Sequence, residues 1–190
     1  INGYTEFEQP QVIENQDMAQ LGYSDIRAYK IENAGELAWF VQHFYAGDLE
    51  TQNVSLADNI DMSALAAYSW TPLGYYNVET QTGKSYDGVF DGNGYSISNI
   101  ILNQINGVDL VSKVSEEQAA VLGTQPIENI AQNALAGVFG YIGSAGHVTE
   151  LKLENTSITS NADAGVLTGR NEGSISACVT SGASVTSSKS

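Results

Sequence analysis

Apolar positions change their spacing several times along the chain, and each change predicts an element. Residues 1 to 29 are polar, include Pro10 and show little apolar periodicity, which predicts an extended N-terminal arm over 1–29. Tyr29-Lys30-Ile31-Glu32 then alternates as a short strand does. Asn33, followed three residues later by Glu36, is a variant of a helix capping box. Leu37, Phe40, Val41, Phe44 and Tyr45 recur on one helical face, and Gly47 stands where a helix would stop, so a helix is predicted over 34–46. Its apolar stripe needs cover, and the strand-like run through Val54, Leu56, Ile60 and Met62 offers it.

Glycine-rich corners and a recurring motif follow. Trp70-Thr71-Pro72-Leu73-Gly74 reads as a corner, and Asp87-Gly88-Val89-Phe90-Asp91-Gly92-Asn93-Gly94 holds three glycines in eight residues. An apolar residue, two spacers and a second apolar residue recur in Ile97-Ser98-Asn99-Ile100, Val148-Thr149-Glu150-Leu151 and Ile175-Ser176-Ala177-Cys178. The last two copies lie 27 residues apart and the first two 51 apart, so an insertion with a loop or short helix is predicted around 103–135. This pattern predicts an all-β fold, a right-handed parallel β-helix (solenoid) in which residues 30 to 62, with their helix, cap the N-terminal end. The alternative is an antiparallel sandwich in which Asp91-Gly92-Asn93-Gly94 is a hairpin turn. The β-helix domain is predicted over 30–190, its last coil expected to continue or to be covered by a partner beyond 190.

Composition narrows the function. Asp and Glu number 22 against 7 Lys and Arg, a net charge of -15, which repels phosphate backbones and anionic lipid surfaces and argues against nucleic acid and membrane insertion as partners. The same acidity fits a protein outside the cell, with any signal peptide already removed, and equally a salt-adapted organism. The single cysteine, Cys178, precludes an intramolecular disulfide and reads as a small apolar residue in the repeat.

The order Tyr29-Lys30-Ile31, Glu36-Leu37, Trp70-Thr71-Pro72-Leu73-Gly74, Phe90-Asp91-Gly92-Asn93-Gly94-Tyr95 and Ile97-Ser98-Asn99-Ile100 resembles the opening of bacterial surface proteins bearing GLUG-type repeats. The stretch Gly165-Val166-Leu167-Thr168-Gly169-Arg170-Asn171-Glu172-Gly173-Ser174-Ile175 looks like one such repeat. The resemblance implies a parallel β-helix of adhesin-like proteins, also found in the non-catalytic region of IgA-cleaving metallopeptidases. The chain has no His-Glu-x-x-His, and His43 and His147 stand far apart, so the resemblance carries a scaffold and no reaction.

Candidate chemistry is thin. Asp87, Asp91 and Asn93 could supply oxygen ligands to Ca²⁺, although Asp and Asn beside glycine also serve as turn residues. Tyr75, Tyr76, Tyr86 and Tyr95, near predicted turns, could stack on a sugar or anchor a protein, or pack against the fold's edges. The reading that results is a non-catalytic extracellular adhesin-like or scaffold module, not an enzyme, that contacts a host or matrix glycan or protein. Its alternatives are a self-assembling fibre or surface-layer subunit, stacking on further copies of itself through the open C-terminal end, and a polysaccharide-acting enzyme.

Overall fold

The computed structural model describes residues 7 to 47, 49 to 107 and 134 to 188, so the greater part of the insertion expected around 103–135 lies outside the described residues. In chain order the elements are β1 (Gln11–Glu14), α1 (Gln16–Gln20), β2 (Arg27–Ile31), α2 (Ala34–Ala46), β3 (Asn53–Leu56), β4 (Ile60–Asp61) and a 3-10 turn (Met62–Leu65). They continue with β5 (Tyr75–Asn77), β6 (Thr82–Lys84), β7 (Val89–Asp91), β8 (Ser96–Ser98) and β9 (Ile101–Asn103). After residue 133 come β10 (Phe139–Ile142), β11 (His147–Thr149), β12 (Lys152–Glu154), β13 (Ser157–Ser160), β14 (Thr168–Asn171), β15 (Ser174–Ser176), β16 (Val179–Ser181) and β17 (Ser184–Ser187).

Helix α2 shows how local signals and burial combine. The Asn33 side chain accepts from the Glu36 amide at 2.9 Å, and the Glu36 carboxylate accepts from the Glu32 amide at 2.7 Å, which satisfies two amides at the helix start. At the other end the Lys84 ammonium donates to the carbonyls of Phe44 at 2.6 Å and Gly47 at 3.1 Å. Burial is not confined to the predicted stripe: Ala34, Ala38, Trp39 and Gln42 are buried as well as Leu37, Phe40, Val41, Phe44 and Tyr45. A helix covered on nearly every side belongs to the core.

Within the segment expected to be an extended arm, β1 pairs antiparallel with β2, and α1 inserts Met18, fully buried, against Ala28 and Val89. Asn15 caps α1 by accepting from the Asp17 amide at 3.0 Å.

Strands from successive parts of the chain lie side by side in parallel. One sheet runs β1-β2-β3-β7-β11-β15, a second β16-β12-β8-β4 and a third β17-β13-β9, while β10 pairs with β14 and β5 with β6. Three ladders of inward residues result: Val54, Phe90, Val148 and Ile175; Ile60, Ile97, Leu153 and Thr180; Leu102, Ile158 and Val185. All but the final members, Ile175, Thr180 and Val185, are buried. A fully buried aliphatic or Phe side chain contributes about 1.5–3 kcal/mol, so these ladders supply much of the cohesion.

The expected right-handed parallel β-helix is corrected. The described chain is mostly strand with a few helices, arranged in several parallel and mixed sheets of unequal width, with β1 antiparallel to β2 and β5 antiparallel to β6. The spacing is not constant either, since Val148 pairs with Ile175 27 positions on, whereas Val54 pairs with Phe90 36 positions on. The antiparallel alternative fails at its own turn: β7 and β8, which flank Gly92 and Gly94, belong to different sheets, and each pairs in parallel with its described neighbours. The first copy of the motif is also displaced. Ile97 pairs with Leu153, and the residue opposite Val148 is Phe90.

A candidate ligand-binding surface

The proposed calcium ligands fall into two separate networks. Asp87 accepts from the Ser85 hydroxyl and, at 3.2 Å, from the Ala145 amide. Asp91 is buried, and its two oxygens accept from the Asn15 side-chain amide and the Asn93 backbone amide, both at 2.8 Å. The Asn93 side chain donates to the Leu56 carbonyl at 3.4 Å, with its backbone at φ 51°. Each group does turn or sheet work, as short polar side chains beside glycine commonly do. Among the described residues no group of three or more His, Cys, Asp or Glu is gathered as metal ligands.

The four tyrosines divide. Tyr86 is fully buried among Phe40, Phe44, Phe90 and Phe139, donates to the Gln52 carbonyl at 2.9 Å, and has its pKa pushed up by burial. It is a core residue and cannot contact a ligand. Tyr95 is half-buried against the core, and Tyr75 is half-buried beside Tyr45 at a ring separation of 6.2 Å. Tyr76 differs in joining a polar cluster.

That cluster forms where β5, β10 and β14 meet. Tyr141 and Arg170 are register partners across the parallel pair β10/β14, which sets their side chains next to each other. The guanidinium of Arg170 lies 4.1 Å from the Tyr76 ring centre and 5.3 Å from that of Tyr141, and the two rings meet edge to face at 5.5 Å. Glu172 completes it: one oxygen accepts from Arg170 through Nε at 2.9 Å and through Nη2, and the other accepts from the Tyr141 hydroxyl at 2.9 Å. Close backbone approach makes this possible. Gly74 has φ +82°, and a Cβ there would stand 2.4 Å from the Tyr141 carbonyl oxygen, so only glycine lets the chain bring Tyr75 and Tyr76 against β10.

Charge and hydrogen bonding reinforce each other at this surface. The Arg170 hydrogen bond, followed by that from Tyr141, holds the Glu172 carboxyl below its ordinary range. The hydrogen bond to Glu172 raises Tyr141, and the same carboxylate raises Arg170, so both stay protonated. Arg170 and Glu172 keep 36% and 39% of their side-chain surface exposed. Among the described residues the Tyr76 hydroxyl and Arg170 Nη1 have no hydrogen-bond partner. The cluster is therefore pre-ordered and retains two polar groups that no described residue satisfies.

Sequence reasoning missed Arg170, Glu172 and Tyr141 as a unit. The available signal was charge placement: between 164 and 188, a stretch of serine, threonine and glycine, Arg170 and Glu172 are the only charged residues, two apart and so on one face of an extended chain. It also left His147 without a partner. In the structure Tyr23 meets His147 Nδ1 at 2.8 Å, Ser176 meets Nε2 at 3.0 Å, and the Ser176 hydroxyl donates to Thr149 at 3.0 Å. This chain joins the 15–26 segment to the outer face of the six-stranded sheet. The group at His147 Nδ1 is a phenol, where a hydrolytic triad has a carboxylate. His43 stacks on Trp39 at 3.9 Å and hydrogen-bonds the Trp39 carbonyl at 2.8 Å. Cys178 is half-buried, and burial pushes its thiol pKa up, away from a reactive thiolate.

No described helix is long and apolar enough to cross a membrane. No family model and no solved structure matches the chain, so the GLUG-type resemblance rests on the residues quoted for it. Over 129 residues, 67% of this chain, the sequence is 29% identical to halomucin of Haloquadratum walsbyi, a match that spans 1% of that protein's length.

Proposed function

We propose that this chain is a non-catalytic, extracellular adhesin-like or scaffold module that meets its partner through the Tyr76, Tyr141, Arg170 and Glu172 surface. The observation that carries the reading is the pre-ordered cluster itself: two tyrosine rings and a guanidinium held together by a carboxylate, partly exposed, on paired strands. Such a surface loses little side-chain entropy when a ligand arrives. The net charge of -15 favours an extracellular, dispersed protein. Immobilised protein presented to glycan arrays, and used in pull-downs of secreted and matrix proteins, is expected to retain ligands that Tyr76→Ala or Arg170→Ala no longer retains. Retention by neither route would count against adhesion.

A second reading, a self-assembling subunit, is favoured by a different observation. Among the described residues, strands β14 to β17 each stand at the edge of their sheet, and residues 164 to 188 carry one Arg and one Glu in a chain of net charge -15. Strand edges with so little charge accept a further strand readily, and in this reading that strand comes from another copy. Sedimentation velocity across a concentration series separates the readings, with purely monomeric behaviour removing this one.

A further inference from the structure

Resting on the contact-surface reading above, we infer that the Tyr76–Arg170–Tyr141–Glu172 cluster takes an uncharged sugar chain. Three observations define the ligand class. The positive charge of Arg170 is already met by the Glu172 carboxylate, so the cluster holds no unpaired cation for an anion to meet. The whole chain, at -15, repels anionic polymers further. The polar groups left free among the described residues, the Tyr76 hydroxyl and Arg170 Nη1, are a donor-acceptor and a donor beside aromatic rings, which suits a hydroxyl-bearing ring with an apolar face.

Size argues in the same direction. A stable protein partner needs about 800 Å² on each side with an apolar centre. Near this cluster the only large exposed hydrophobic residue among those described is Val78 on the β5–β6 turn, while the others, such as Val12, Leu21 and Ile101, lie on other elements. One or two sugar rings need only a stacking surface and a few hydrogen bonds. The cluster offers two half-buried tyrosine rings and two hydrogen-bonding groups for them.

The test is a titration of the isotope-labelled 190-residue chain, followed by NMR, with cellohexaose, mannohexaose and N-acetylchitohexaose as uncharged probes. Oligogalacturonate serves as the anionic probe and a decaproline peptide as the extended peptide probe. At least one uncharged oligosaccharide should shift resonances of β5, β10 and β14. Its affinity should fall about tenfold in Tyr76→Ala and only about twofold in Tyr76→Phe, which keeps the ring and loses the hydroxyl. Should Tyr76→Ala disturb folding, Arg170→Gln gives the same reading, with an expected loss of about fivefold. Shifts at these strands caused by oligogalacturonate or decaproline alone would overturn the uncharged-sugar inference and leave the contact-surface reading standing. Binding indifferent to Tyr76 and Arg170 would overturn both. Silence of all three uncharged probes at these strands would overturn the inference.

Discussion

Two neighbouring layers of this fold share a backbone plan and differ in what it achieves. In the inner layer Val148, Leu153 and Ile158 are essentially inaccessible, at 0%, 1% and 1% exposure. Their register partners in the outer layer are Ile175, half-buried, Thr180, exposed, and Val185, at 42% exposure. Both layers pair through the same parallel ladders. The inner one has strands on both sides, β7, β8 and β9 on one and β15, β16 and β17 on the other, whereas the described outer layer has neighbours on one side only. Strand pairing alone therefore does not confer burial, and stability should be graded across the molecule. The aromatic cluster bridges the two, with Tyr141 on the inner layer and Arg170 and Glu172 on the outer.

The sharpest way to break this comparison is a matched pair of truncations. Leu153→Ala should cost about 2–5 kcal/mol, because it opens a cavity between strands on both sides, whereas Val185→Ala should cost less than about 1 kcal/mol. Urea unfolding of the two variants measures the difference, and equal losses would remove the distinction. Next in size is Gly74→Ala, which places a Cβ against the Tyr141 carbonyl at a backbone angle that favours glycine. It should destabilise by about 2 kcal/mol and weaken the Tyr76 to Tyr141 contact seen as ring-to-ring NOEs.

A third pair compares one row of the six-stranded sheet, where Asp91, Thr149 and Ser176 are in register. Asp91→Ala takes the acceptor from the Asn93 backbone amide and the shorter of two from the Asn15 side-chain amide, which keeps Ser55 at 3.3 Å, and should cost about 1–3 kcal/mol. Ser176→Ala, on the exposed layer, should cost no more than about 0.5 kcal/mol, as read from thermal unfolding.

The smallest effect concerns the buried helix. Burial holds the His43 pKa below its ordinary value of 6.5, so the unfolded chain takes the proton more readily than the folded one. The contribution is fully present above 6.5 and is lost as pH falls through the lower folded value. His43→Gln should flatten that part of the curve, measured as the difference in urea midpoint between wild type and variant from pH 7.5 downward. A curve unchanged by the substitution would remove His43 as its source.

Legibility in the sequence followed the same division between local and tertiary causes. Helix α2 could be bounded at 34 and 46 because its signals, Asn33, Glu36 and the apolar spacing, act within a few residues. The equivalence of Val148 and Ile175 was legible because glycine precedes both at the same distance. The displaced copy at Ile97 has a physical cause: the apolar spacing of one layer occurs on two successive strands, so the motif matches either, and only pairing identifies Phe90 as the partner of Val148. β1 and α1 were not legible, since a five-residue helix held by Met18 alone has no periodicity to read. Tyr86 and Tyr76 look alike in sequence, because a tyrosine suits a core as well as a surface, and only the fold puts one among phenylalanines and the other beside Arg170.

The proposed contact surface belongs to the exposed layer and is anchored on the buried one. Amide hydrogen exchange, with and without the uncharged oligosaccharide that binds, tests it most directly. Slow exchange is expected at His147–Thr149 and Lys152–Glu154 in both states, faster exchange at Thr168–Asn171 in the free protein, and added protection at Thr168–Asn171 and Tyr75–Asn77 on binding. Equal protection of the two layers, or protection appearing away from Thr168–Asn171 and Tyr75–Asn77, would contradict it.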